Sequence, residues 1–142
     1  RLDPNWVNRL YKIIKNKKSE KSAWYFDFKV KKTNIEFRIL ELAVALRSYF
    51  LQRPYGDQGL LIHRDLYYNL GGFSPLKIME DLDFITRITE ITKVKRIRGS
   101  IHTDDIKWSN SNIIKRAIKN YILRKKWRKG YDIDKLSKEY NT

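Results

Sequence analysis

The sequence predicts an α/β domain. Segments with strand character alternate with segments of helical spacing, and polar loops or glycines close most of them. No internal repeat and no Pro- or Ser-rich linker interrupts the 142 residues, so residues 1–142 are expected to form a single domain.

Asp3-Pro4 has the form of a helix start, a capping side chain followed by proline in the first turn. Trp6, Leu10, Ile13 and Ile14 then give that helix one apolar face, and residues 16–22 form a polar, basic loop. Residues 23–30 (AWYFDFKV) alternate and are rich in aromatics, which predicts a strand. Residues 34–51 carry the strongest helical pattern, with Ile35, Ile39, Leu42, Ala43, Leu46 and Phe50 on one face. Glu36, Arg38, Glu41 and Arg47 supply its polar side.

Next comes PYGDQGLLIHRDLYYNLGGFSPLKIMEDLD, residues 54–83. Gly56 and Gly59 bracket Asp57 and Gln58 in a turn. Leu60, Leu61 and Ile62 suit a buried strand. Asp65 precedes a short helix, and Gly71-Gly72 ends it as a left-handed cap does. Glu80, Asp81 and Asp83 open a further helix, marked by Leu82, Ile85, Ile88 and Ile91 and running to about Thr92. Residues 93–98 (KVKRIR) read as a strand, and Gly99-Ser100 as a turn into Ile101-His102-Thr103. Residues 109–142 form a basic, amphipathic helical segment. Ile113, Ile114, Ala117, Ile118, Tyr121 and Ile122 make a narrow stripe among lysines and arginines, Gly130 ends that helix, and Asp132 or Asp134 caps a last one to Tyr140.

Composition bounds the function. Hydrophobic residues make up 42% and aromatics 13%, enough for a core and unlike a disordered chain. The absence of cysteine excludes disulfides, thiolate metal sites and a cysteine nucleophile. No apolar run reaches transmembrane length and no signal peptide is visible, so the expected location is cytoplasmic, at most peripheral to the inner membrane face. Thirty-one Lys and Arg against sixteen Asp and Glu leave a net charge of +15, which favours polyanions: nucleic acid, anionic lipid or phosphorylated substrates. A nucleic-acid-binding module is the rival from a different class. The sequence has no helix-turn-helix, zinc pattern or aromatic RNA-binding strand to support it. A lysine-rich background composition gives the same charge without any such partner.

The acidic cluster allows two readings. Carboxylates at a helix start can simply cap it and oppose the helix dipole. They can also do chemistry, and a Gly-rich loop with Asp and Gln shortly upstream is where α/β proteins keep theirs. Asp57 likewise either lines a pocket or closes its own turn.

The order PYGDQG, apolar strand, Arg64-Asp65, LGGF and MEDLDF resembles the C-terminal half of a family 2 glycosyltransferase catalytic domain. It is most similar to the bacterial subgroup known as arsenosugar-type or selenodomain-associated transferases. In that subgroup a Leu-Arg-Ser helix leads into PYGDQG, as Leu46, Arg47 and Ser48 do here, and Thr103 through Lys107-Trp108 resembles its Thr-Ser-…-Arg-Trp element. The similarity spans nearly the whole chain.

The resemblance implies a partial nucleotide-diphospho-sugar transferase (GT-A type) fold and inverting transfer of a sugar, of the hexosyl type, from a nucleoside diphosphate sugar to an acceptor. Asp81 would be the base that deprotonates the acceptor hydroxyl, with Glu80 and Asp83 orienting it or holding acceptor groups. Gly56, Asp57, Gln58 and Gly59 would line the acceptor or donor-sugar pocket. Lys107 and Trp108 would sit beside the donor, Lys107 replacing an arginine and its bidentate grip. His102 is a candidate third metal ligand, whereas His63 reads as structural. Mg²⁺ or Mn²⁺ is the cofactor of such enzymes. It is held by an Asp-x-Asp motif in a nucleotide-binding half that has no counterpart here; Arg1-Leu2-Asp3-Pro4 resembles the residues just after that motif. The 142 residues are therefore expected to be the acceptor-side half, inactive alone. Other expected partners are an anionic membrane through residues 109–129 and a second copy of the chain, with an inactive membrane- or partner-binding remnant as the remaining alternative.

Overall fold

The computed structural model describes residues 1–16, 21–32, 34–103 and 113–141, of which 113 and 114 are described in backbone only. These residues form a small mixed α/β domain with a three-stranded sheet and six helices. The order is α1 (Trp6–Ile14), β1 (Ala23–Val30), α2 (Ile35–Phe50), β2 (Leu60–Ile62), α3 (Arg64–Asn69), α4 (Glu80–Ile91), β3 (Val94–Thr103), α5 (Ile113–Arg128) and α6 (Ile133–Asn141). A single 3-10 turn, Gly56–Gln58, precedes β2.

β1 is the middle strand. It pairs antiparallel with β2, Trp24 opposite Leu61, and parallel with β3, Ala23 opposite Val94. Its position explains why six of its eight residues are buried instead of every second one: helices cover both faces. Ala23 and Tyr25 pack with Phe84, Ile85 and Ile88 of α4, while Trp24 and Phe26 pack with Leu10 and Ile13 of α1. Phe28 and Val30 pack against Phe37, Leu40 and Val44 of α2.

Several expectations are corrected. α1 starts at Trp6, not at Pro4. Asp3 Oδ1 instead accepts the Asn5 N–H at 2.9 Å, and Leu2 bridges to Ile101 on β3. Leu10 and Ile13 pack as expected, but Trp6 and Ile14 are exposed. Gly99-Ser100 is not a turn between strands. β3 continues through it, and the pairing skips from Phe26–Ile97 to Asp27–Ser100. A Cβ at Gly99 would come within 3.2 Å of the Arg9 side chain, so glycine suits this irregularity.

The largest correction concerns α2. Its expected core stripe faces outward: Ile35, Ile39, Leu42, Leu46 and Phe50 are exposed, Ile35 at 72%. The buried face is Phe37, Glu41, Val44 and Ser48. Both sets have helical core spacing, and the polar members decide between them. Glu41 Oε1 accepts the Val30 N–H at 2.9 Å, while its Oε2 takes Lys29 Nζ and Arg38 Nη1 at 3.0 and 2.6 Å. A buried carboxylate so well partnered ties α2 to the end of β1.

The end of α3 follows expectation. Gly71 and Gly72 have φ of +74° and +65°, and the Gly72 N–H donates to the Tyr67 carbonyl at 3.0 Å. His63 caps the start of α3, its Nδ1 accepting the Asp65 N–H. α5 leaves part of its apolar stripe open. Leu123 is fully buried, whereas Ile118, Tyr121 and Ile122 stay exposed. α6 lies against α5, with Lys126 bonded to both Glu139 oxygens and Leu136 buried. Asp132 rather than Asp134 caps α6, its Oδ1 accepting the Lys135 N–H at 2.9 Å. Residues 109–112 lie outside the described residues. No helix among those described is long and apolar enough to cross a membrane.

Candidate functional site

A cleft of about 310 Å³ opens where α2, the 56–58 turn, the start of α4, α5 and α6 meet. Its apolar floor includes Phe28, Leu40, Val44, Ile78 and Met79. The polar wall is Arg47, Tyr55, Asp57, Glu80, Asp81, Asn120, Arg124 and Tyr140.

Local structure explains how these side chains meet. Met79, at φ +66°, is the left-handed residue that turns the chain into α4. Asp81 therefore falls in the first turn of the helix and not at its cap. Its Oδ1 accepts the Leu82 N–H at 2.7 Å, and its Oδ2 crosses to the Gly56 N–H at 2.9 Å. This second bond ties α4 to the loop that carries Asp57. Each oxygen retains a second lone pair for another donor. A Cβ at Gly56 would sit 3.4 Å from Asp81 Oδ2, an ordinary van der Waals distance.

Gln58 fixes the other end of the turn. It is 1% exposed. Its Oε1 accepts from Ser48 Oγ at 2.7 Å and Arg47 Nη2 at 3.2 Å, and its Nε2 donates to the Phe26 carbonyl at 3.2 Å. With its amide so engaged, Gln58 holds the loop and does not line the cleft. Gly59, at φ +60°, borders a smaller hollow of about 20 Å³ that Gly56 and Asp81 also line.

Two guanidinium groups lie over the Tyr55 ring, Arg47 at 3.9 Å and Arg124 at 4.9 Å from its centroid. Arg47 also donates through Nε to the Arg53 carbonyl at 3.0 Å. Burial lowers its pKa, against the opposing pull of the Asp57 charge. Burial likewise raises the Asp57 carboxyl; Asp81 adds to the rise, while Arg47, Arg124 and the residue's own backbone N–H hold it down. Asp57 keeps open surface toward the cleft, but protein surrounds the carboxyl closely enough for desolvation to dominate.

Asp83 lies elsewhere. Its Oδ2 accepts Ser74 Oγ at 2.6 Å and the Nε and Nη2 of Arg87 at 3.1 and 2.7 Å. Arg87 in turn holds the Leu70 and Gly72 carbonyls. Asp83 is thus the anchor of the 70–74 corner. His102 is also outside the cleft, on β3, with Nε2 3.0 Å from Ser100 Oγ. Lys107 and Trp108 lie outside the described residues. Among the described residues no group of three or more His, Cys, Asp or Glu side chains is placed to hold a metal ion. The carboxylates of the cleft share it with two arginines. The Mg²⁺ or Mn²⁺ site that the resemblance implies is the Asp-x-Asp of the nucleotide-binding half, not these residues.

The structure brings together Glu80, Asp81 and Asp57 of the sequence candidates. It adds Tyr55, Asn120, Arg124 and Tyr140, which the sequence reading passed over. One signal was present: Ala117, Asn120 and Arg124 follow helical spacing, and Asn120 breaks an otherwise basic run. Comparison with protein-family models, with curated proteins and with solved structures finds no match.

Proposed function

We propose that this chain is the acceptor-side half of an inverting glycosyltransferase of the family 2 kind. The observation that carries the reading is the convergence of Asp81 and Asp57, from two separate sequence motifs, on one cleft, joined by the Asp81–Gly56 bond. The acceptor hydroxyl would lie against Asp81, whose carboxylate is held in place by the two backbone N–H groups. As Asp81 takes the proton, the acceptor oxygen forms its bond to the anomeric carbon and the bond from that carbon to the nucleoside diphosphate breaks. The configuration inverts, and the leaving diphosphate carries off the electron pair. Asp57, with its raised pKa, would hold a second hydroxyl of the acceptor or donor sugar. Glu80 completes the acidic wall.

The reading places the nucleotide pocket, the metal-holding Asp-x-Asp and the remainder of a GT-A type fold outside these 142 residues. No step is assigned to a metal here. What supports the fold reading is the mixed sheet, with the acidic helix α4 leading into the parallel strand β3. The test is acceptor-dependent release of nucleoside diphosphate from a panel of nucleoside diphosphate sugars, by the protein that joins this chain to its nucleotide-binding half. Turnover with at least one donor is expected. No turnover with any donor sinks the reading.

A peripheral membrane contact on the cytoplasmic side belongs to the same proposal. Its support is the exposure of Ile118, Tyr121 and Ile122 on α5, flanked by Lys115, Lys119 and Lys125. Co-sedimentation with vesicles containing anionic lipid, weakening with salt, is the expected result. Equal binding to neutral vesicles, or no binding, contradicts it.

A further inference from the structure

Arg124 is a cleft residue whose chemistry the reaction above does not use. Its guanidinium lies over the Tyr55 ring, and among the described residues it has no hydrogen-bond or ion-pair partner. Arg47, by contrast, is committed to the Arg53 carbonyl and to Gln58. Arg124 is half-buried, on the same face of α5 as Asn120 one turn earlier, and both line the cleft together with the acidic residues. A stacked guanidinium keeps its planar fork of donors free while losing much of its rotamer freedom, so it is prepared for a planar or tetrahedral anion. Asp57 and Asp81 of the same cleft accept hydroxyls and repel anions. The cleft therefore suits a molecule with two unlike ends.

We propose that the ligand of this cleft is a hydroxyl-bearing small molecule with one terminal anionic group, a phosphate monoester or a carboxylate, which Arg124 holds while the hydroxyls face Asp57 and Asp81. The proposal rests on the acceptor-pocket reading and specifies the acceptor class. Asn120 adds an amide that can donate to the same anion. The basic surface of the whole chain is a separate matter: it attracts any anion weakly and without regard to hydroxyls.

Binding measured by calorimetry on the 142-residue chain tests this without any turnover. The probes are a neutral hexose, the same hexose as its 6-phosphate, the corresponding hexuronate, inorganic phosphate and a nucleoside diphosphate. The hexose phosphate or the hexuronate should bind about tenfold or more tightly than the neutral hexose, the weight of one charge-assisted hydrogen-bond pair. Each should also exceed inorganic phosphate, which lacks the hydroxyls. Arg124→Gln should remove the preference for the charged sugar and leave the weak binding of the neutral one and the melting temperature unchanged. Lys129→Gln, which removes the same formal charge from an exposed position outside the cleft, should change neither.

Charged and neutral sugars binding alike, or not at all, would overturn the proposal. So would inorganic phosphate binding as tightly as the hexose phosphate, or equal losses in Arg124→Gln and Lys129→Gln. A nucleoside diphosphate that binds more tightly than the charged sugars and depends on Arg124 would assign the arginine to the donor, again against the proposal. None of these outcomes alters the turnover test of the reaction itself, so the two readings fail separately.

Discussion

Replacing Asp83 separates structural from chemical carboxylates in the acidic cluster. Its Oδ2 receives bonds from Ser74 Oγ and from Nε and Nη2 of Arg87. Hydrogen bonds to charged groups contribute about 1.5–3 kcal/mol each where water is excluded. Here the Asp83 and Arg87 side chains are 23% and 26% exposed, so water replaces part of what is lost, and Arg87 keeps its bonds to Leu70 and Gly72. Asp83→Ala should therefore cost about 2–3 kcal/mol. For a domain of this size that corresponds to a fall in melting temperature of roughly 6–12 °C. Asp83→Asn can keep one carbonyl oxygen where Oδ2 now sits and loses mainly the charge, so about 1 kcal/mol is expected. Thermal and urea denaturation followed by circular dichroism measure both. Asp83→Ala melting within about 2 °C of wild type would refute the network. A stable Asp83→Asn that has lost its activity would return this residue to the chemistry.

The glycines at the end of α3 should differ from one another. Gly72→Ala puts a Cβ 2.8 Å from Tyr67 Oη at φ +65°, while Gly71→Ala meets nothing within 4 Å at φ +74°. Gly71→Ala should thus cost only the left-handed strain, about 1–2 kcal/mol, and Gly72→Ala clearly more; equal melting temperatures would contradict the packing of Tyr67. Asp57 gives a pH signature. Its folded pKa is raised, so between the ordinary aspartate value of about 3.9 and the raised one the folded state binds more protons than the unfolded chain, and stability falls as pH rises through that window. Asp57→Asn should therefore melt higher than wild type at neutral pH, with the difference closing below about pH 4. A difference independent of pH would contradict the desolvation of this carboxyl.

The sequence carried the local structure well, and the assembly less so. β1 coincides with its predicted limits because AWYFDFKV is rich in aromatic residues that favour a pleated, packed strand. The ends of α3 and α5 were legible because Gly71, Gly72 and Gly130 take positive φ, a backbone fact that the residue type announces. The buried face of α2 was hidden because hydropathy weighs Ile39 and Leu42 above Glu41 and Ser48. The structure buries the polar pair, since β1 and Gln58 supply partners for them. Gln58 failed as a pocket residue for the same reason: sequence shows a polar side chain in a loop, not the Ser48, Arg47 and Phe26 atoms that occupy it. Asp81 and Asp83 are two residues apart in sequence, and helix geometry turns them to different neighbours. Arg124 lies 69 residues after Tyr55 in the numbering, and nothing local marks their contact.

The central claim is that Asp81 takes the proton of a sugar acceptor. Asp81→Asn in the protein that includes the nucleotide-binding half tests it most directly. The amide can accept from the Gly56 N–H or from the Leu82 N–H but not from both, so a loss of about 1 kcal/mol in stability is expected. Acceptor-dependent release of nucleoside diphosphate should fall by about 10²–10⁴-fold, with donor affinity nearly unchanged. Turnover close to wild type in a folded Asp81→Asn protein would contradict the claim and leave Asp81 as the tie between α4 and the Gly56 loop.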